Sequence, residues 1–474
     1  MKKVLFIIIV LIGFSISCDD KFEDFNTDQK HPTEVPGNML FANAQKVLAD
    51  QLASTNVNLN VWKLFAQYWT ETTYTDEANY DIINRTIADN TYRVYYRNCL
   101  RDLQEARNVI EAEDPGTDAA AAVAQQNRML IIDMVMAFVY QELVDTFGDV
   151  PYSEALDIDN ITPAYDDAAT IYDDMIAKVK ASVAGLDESG HSFDGYDLYF
   201  GGDVTMWKKF GNSLLVKMGI MLAKVNPAKA KEVIEAHYAG AFQEGEICEL
   251  NYPGGAMSNP LYQDLVQSGR NDFVPANTIV DLMNGLNDPR RPAFFTEGPD
   301  GGYVGGIYGE SNAYQNYSHI ADRIQEPDFP MTIIDYTEMS FYLAEAAHRG
   351  WNVGGTAAQH YANGIKASFD YWGVDGADAY IAANPYEGLD DIGIQAYIAF
   401  YVRGFQGYTS YRRLGVPEMN LPPAPAESAD NAVPRRFTYP VNEQTLNGAN
   451  RQAAVSKQYP AGDKLSGRIF WDVN

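Results

Sequence analysis

Cysteine is nearly missing from this chain: Cys18, Cys99 and Cys248 are the only three in 474 residues. So few exclude a disulfide framework. Cys99, inside the amphipathic run Tyr95-Tyr96-Arg97-Asn98-Cys99-Leu100, reads as a small buried hydrophobe. Basic residues are scarce too, 35 Lys and Arg against 64 Asp and Glu, for a formal net charge of −29. Nucleic acid is therefore a poor partner, because phosphate binding needs clustered Lys and Arg. The six histidines are scattered, and there is no Gly-x-Ser-x-Gly, His-Glu-x-x-His, phosphate loop or Cys-x-x-Cys. Asp157, Asp159 and Asn160 alternate like calcium ligands but lack the glycine and the terminal glutamate of a complete loop. No metal, cofactor or catalytic group is expected on these grounds.

Long hydrophobic runs are also lacking. Past the first eighteen residues, no stretch reaches the roughly twenty apolar residues that cross a bilayer. The start itself is different: Lys2 and Lys3 precede an apolar run from Val4 to Phe14, and small residues lead into Cys18. That order is a secretion signal over 1–17 ending at a cysteine, whose acylated thiol would hold the chain on a membrane surface. Ser15 stands where the strongest lipobox has leucine, while Ile16 and Ser17 fit. Loss of Lys2 and Lys3 with the signal leaves 33 basic against 64 acidic residues, a charge of −31. Residues 18–34 are polar and read as a flexible tether, with folding expected from Val35.

What is abundant is helical periodicity. Apolar residues at three- and four-residue spacing predict helices over 38–54, 59–70, 91–113, 118–147, 166–186, 204–225, 228–239, 335–349, 356–371 and 393–414. Pro227 after Asn226 opens one, and Gly350 and Gly373 stop others. Consecutive helices pair, as in 91–113 with 118–147 and 335–349 with 356–371. The expected fold class is mainly α, built of irregular helical pairs without strict 34-residue self-similarity. One domain over 35–474 is expected, with a glycine- and tyrosine-rich insertion at about 249–329 that is too long to be a mere connection.

The segment Asp145-Thr146-Phe147-Gly148-Asp149-Val150-Pro151-Tyr152-Ser153-Glu154-Ala155 resembles the hallmark of SusD/RagB nutrient-binding lipoproteins. Gln67-Tyr68-Trp69-Thr70, Phe210-Gly211-Asn212-Ser213-Leu214, Leu343-Ala344-Glu345-Ala346-Ala347 with Gly350-Trp351, and Arg436-Phe437-Thr438-Tyr439-Pro440-Val441-Asn442-Glu443 follow in family order. The resemblance implies a tetratricopeptide-like helical fold. It also implies a surface-exposed outer-membrane lipoprotein anchored at Cys18, which captures glycans or peptides for a SusC-like TonB-dependent transporter without catalysis. Asp19 and Asp20 resemble the surface-export signal of such lipoproteins. The hallmark segment itself reads as scaffold, because Gly148 stops a long helix and Pro151 stiffens its exit.

Sugar capture needs flat aromatic faces and amide or carboxylate groups for hydroxyls. The segment from Tyr68 to Tyr80 concentrates both, and the chain holds 31 tyrosines. In the resembled family, contacts come from a loop after the early helices and from later insertions. That points here to Trp69, Tyr74, Asn79 and Tyr80, joined by Tyr303, Tyr308 and Tyr314. Arg270 and Arg323 would suit an acidic sugar or a peptide carboxylate. Peptide capture is the alternative cargo, an exported glycoside hydrolase with paired carboxylates a competing activity, and a purely structural surface lipoprotein the third reading.

Overall fold

The structure, a computed structural model, describes residues 35–473. Cys18, the signal and the tether lie outside the described residues. The longer helices are α1 (Gly37–Ala53), α2 (Ile87–Arg93), α3 (Arg101–Glu111), α4 (Ala119–Phe147), α5 (Ala168–Gly185), α6 (Val204–Met221) and α7 (Pro227–His237). They continue with α8 (Asn277–Gly285), α9 (Tyr336–His348), α10 (Ala357–Tyr371), α11 (Ala377–Ala383), α12 (Leu389–Ala399), α13 (Gly404–Leu414) and α14 (Gly448–Gln458). The fold is mainly α, as the periodicity predicts.

Local chemistry sets many of the ends. Asp118 accepts from the N–H groups of Ala120 and Ala121 to open α4, and Asn226 with Pro227 opens α7. Thr356 and Gln359 form a capping box at α10. Neighbours pack in sequence, α3 on α4, α4 on α5, α5 on α6, α6 on α7 and α9 on α10, while α1 returns against α3. At the α9–α10 contact, a Cβ on Gly364 would sit 2.8 Å from the Phe341 ring, so glycine is what lets these helices approach. One buried cluster runs from Phe41 to Trp471, and a smaller one joins Phe341, Tyr361, Ile365 and Phe369.

Three expected helices differ. Over 59–70 only Trp62–Phe65 is helical, and the chain turns through left-handed Gln67 (φ 54°) into β1 (Trp69–Glu71). Residues 60–72 are buried, so the apolar run has no polar face by which periodicity could separate strand from helix. The helix expected over 91–113 starts earlier, at Ile87, and contains a π-helical segment, Val94–Leu100, between α2 and α3. The stretch 393–414 breaks at Val402 (φ 68°) into α12 and α13, because Gly404 abuts the Trp62–Lys63 backbone and a Cβ there would lie 2.5 Å from the Lys63 nitrogen.

Short antiparallel pairs tie the helices together: β1 with β5 (Phe273–Pro275), β2 (Val150–Pro151) with β3 (Tyr165–Asp166), and β4 (Ile247–Leu250) with β6 (Met331–Asp335). The hallmark segment is a junction of this kind. Gly148 ends α4 at φ 90°, where a Cβ would meet Gln458 and Tyr459 at 2.3 Å. Asp149 accepts from the Ala168 N–H at 2.8 Å, capping the turn into α5, and from the Gln458 amide at 2.6 Å. Asp145 receives the Tyr172 hydroxyl and the Trp471 indole N–H. Cys99 and Cys248 are free and buried.

Candidate ligand-binding face

The β1–β5 ladder builds the site. Pairing Glu71 with Phe273 lays the chain beyond Tyr68 against 270–273, and the Thr72 hydroxyl donates to the Asn271 carbonyl at 2.6 Å across 199 positions of sequence. The two segments, with Asn56 and Asn58 before them, enclose a cavity of about 230 Å³. Glu71, Tyr74, Glu77, Arg85, Asp264, Arg270 and Asp272 line it. Tyr74 is 62% exposed at its edge.

The charges are largely settled within the wall. Burial and the neighbouring Glu77 push the Glu71 carboxyl up to about 9, although it accepts the Ala78 N–H at 2.9 Å. Both causes favour the neutral form of Glu71. Burial also raises Glu77, against the ion pair it makes with Arg85. Arg270 bonds Asp272 at 2.6 Å, and that bond raises the guanidinium further. Burial raises Asp264, which accepts from the Thr55 N–H and the Ser54 hydroxyl. Paired ions, amides and an exposed ring suit a neutral, hydroxyl-rich ligand better than an ion.

The seven residues expected from sequence separate by burial. Trp69, Tyr80 and Tyr308 are buried. The Trp69 indole donates to the Tyr401 hydroxyl at 2.9 Å, the Tyr308 hydroxyl to the Leu64 carbonyl at 2.9 Å, and the Tyr80 ring stands edge-on to Phe65. None offers a face for stacking in this conformation. Asn79 is buried as well: its amide donates to the carbonyls of Thr75 and Gly309 and its oxygen accepts the Ala424 N–H. It fastens the Tyr74 loop to the insertion. Tyr74 lines the cavity, and Tyr314, stacked on His319 at 3.8 Å, lines a small crevice beyond Arg270, Asp272 and Phe273. The 270–273 segment thus has Tyr74 on one side and Tyr314 on the other. Tyr303, half-buried beneath the Arg291 guanidinium at 5.3 Å, lines neither hollow. Arg323 is paired with Glu326 and Asp328. Sequence reasoning missed Asn56, Asn58, Asp264, Asp272 and Phe273; the long-range ladder brings Asp272 and Phe273 to this face, and bonds to Ser54 and Thr55 hold Asp264 there.

A sequence profile of the SusD-like_2 family, described as "Starch-binding associating with outer membrane", matches residues 29–440. No curated protein matches the chain. Among solved structures, a chitin-binding protein superposes with a TM-score of 0.81 at 24% identity, covering 92% of this chain and 100% of its own. A SusD homologue from Bacteroides uniformis gives 0.77 at 23%, covering 92% and 99%. A chitin-binding SusD homologue from Flavobacterium johnsoniae gives 0.77 at 22%, covering 92% and 98%. At these identities the structures establish the shared fold, and with the profile spanning most of its length the chain belongs to the SusD-like family.

Proposed function

We propose that this protein is a cell-surface lipoprotein, anchored through Cys18, that captures oligosaccharides and passes them unchanged to a SusC-like TonB-dependent transporter of the outer membrane. The observation that carries the reading is Tyr74, exposed over a hollow whose two arginines, Arg85 and Arg270, are each paired with a carboxylate. An exposed ring stacks on the apolar face of a sugar, and the amides of Asn56 and Asn58 meet hydroxyls as donors or acceptors. The family description supports a polysaccharide cargo, and the two chitin-binding relatives bring N-acetylated sugars into consideration. Tyr314 serves as a second stacking position for a ligand long enough to cross Arg270. Peptide capture is less favoured, since Arg85 and Arg270 are engaged by Glu77 and Asp272 instead of awaiting a carboxylate.

The test is calorimetry of purified protein lacking its signal against starch and chitin oligosaccharides, other polysaccharides and peptide mixtures, with each mixture checked for cleavage. Binding of an oligosaccharide at around micromolar affinity without cleavage is expected. Cleavage would replace capture with hydrolysis, and binding of peptides alone would change the cargo.

A further inference from the structure

Among the described residues, the most exposed large hydrophobic side chains do not line the cavity. Ile158 is 78% exposed and Ile161 83%, both on the loop that leaves β2 and returns into β3. Leu446, 67% exposed, belongs to the neighbouring turn, which bonds to this loop. Isolated exposed hydrophobes need no explanation. Three together on a pinned surface do.

The loop is held from within and from outside. Glu154 accepts from the Asn160 amide at 3.1 Å and from the Ala164 N–H at 2.9 Å. Arg101 donates to the Leu156 carbonyl at 2.8 Å, Asn447 to Pro163 at 2.8 Å and Asn450 to Thr162 at 2.9 Å. So many restraints present the two isoleucines as pre-ordered knobs, which lowers the entropy lost when they are buried by a partner.

The rim decides what covers them. Glu154, Asp157 and Asp159 flank the isoleucines along the loop, and none is in an ion pair among the described residues. Three such carboxylates would be repelled by an anionic membrane surface. A second copy of this face would bring the same charges together in an isologous contact.

We infer that the 154–165 loop, with Leu446, is the docking surface for a separate protein that offers an apolar socket rimmed by Lys or Arg. Resting on the function proposed above, that protein is the TonB-dependent transporter.

The experiment uses the full lipidated chain, tagged and expressed in its own cells. Outer membranes are solubilised in mild detergent, and the transporter recovered with the chain is identified by mass and quantified. Ile158→Ser with Ile161→Ser, and separately Asp157→Lys with Asp159→Lys, should each lower the recovered transporter by about ten-fold or more. Both should leave melting temperature and oligosaccharide affinity unchanged. Wild-type recovery by both double variants would overturn the docking surface while leaving transporter delivery intact. Absence of any transporter with the wild-type chain would overturn delivery and the inference together. Dimerisation of the purified wild-type chain that is lost in the isoleucine variant, or its binding to anionic vesicles, would reassign the surface to a second copy or to lipid.

Discussion

Trp69 and Tyr74 stand five positions apart, both aromatic, yet the structure gives them opposite tasks. Trp69 is enclosed, with its indole bonded to Tyr401, 332 positions away. Trp69→Ala should therefore destabilise the fold by about 3–5 kcal/mol, as large-to-small changes in a core do, and be read as a lower denaturation midpoint. Tyr74 touches the cavity from its edge, so Tyr74→Ala should leave the midpoint unchanged and weaken oligosaccharide binding about ten-fold by calorimetry. Unchanged affinity would move the site away from this loop. The sequence places both residues in one aromatic, amide-bearing segment and cannot divide them, because burial is decided by partners hundreds of residues distant. Asn79 shows the same limit: its composition suits sugar recognition, but Gly309 and Ala424 occupy it.

Between elements, close approach and buried charge control the assembly. Gly404 meets the Trp62–Lys63 backbone at the start of α13, and backbone cannot rotate aside as a side chain can. Gly404→Ala should cost about 1–3 kcal/mol through overpacking despite alanine's better helix propensity. A chemical denaturation curve as stable as wild type would show that the contact yields. A second prediction concerns Glu142 on α4, whose carboxyl is pushed up to about 8 by burial, with Lys217 opposing and Asp145 and Glu338 adding to the rise. The folded chain then holds a proton that the unfolded chain releases above about pH 4.5, so this group's stabilisation is full in acid and is lost as pH rises through 8. Glu142→Gln cannot ionise. Between about pH 5 and 8 the variant should lose less stability than wild type, by at most about 1.4 kcal/mol per pH unit in urea titrations. Parallel profiles would place the folded carboxyl near its ordinary value.

At the scale of the whole molecule, α4 to α7, α9 and α10 were legible because their periodicity, caps and terminal glycines are local. The breaks at Gln67 and Val402 were not, since both lie against remote segments: Gln67 bonds Asn420 and Thr278, and Gly404 abuts the Trp62–Lys63 backbone. The hallmark segment gave away its scaffold role for a similar reason: a glycine and a proline immediately after a long apolar helix are local signals, even though their partners Gln458 and Tyr459 are remote. The same separation of local from distant bears on the anchor. The large core spans Phe41 to Trp471 among the described residues, and Cys18 is read as an anchor and not as part of it. Cys18→Ala should then give a chain with the wild-type melting temperature and oligosaccharide affinity that fractionates away from the membrane. A variant that stays membrane-bound in high salt would show that something other than an acylated Cys18 holds the chain there, and would detach the lipoprotein reading from the capture reading, which does not rest on the anchor.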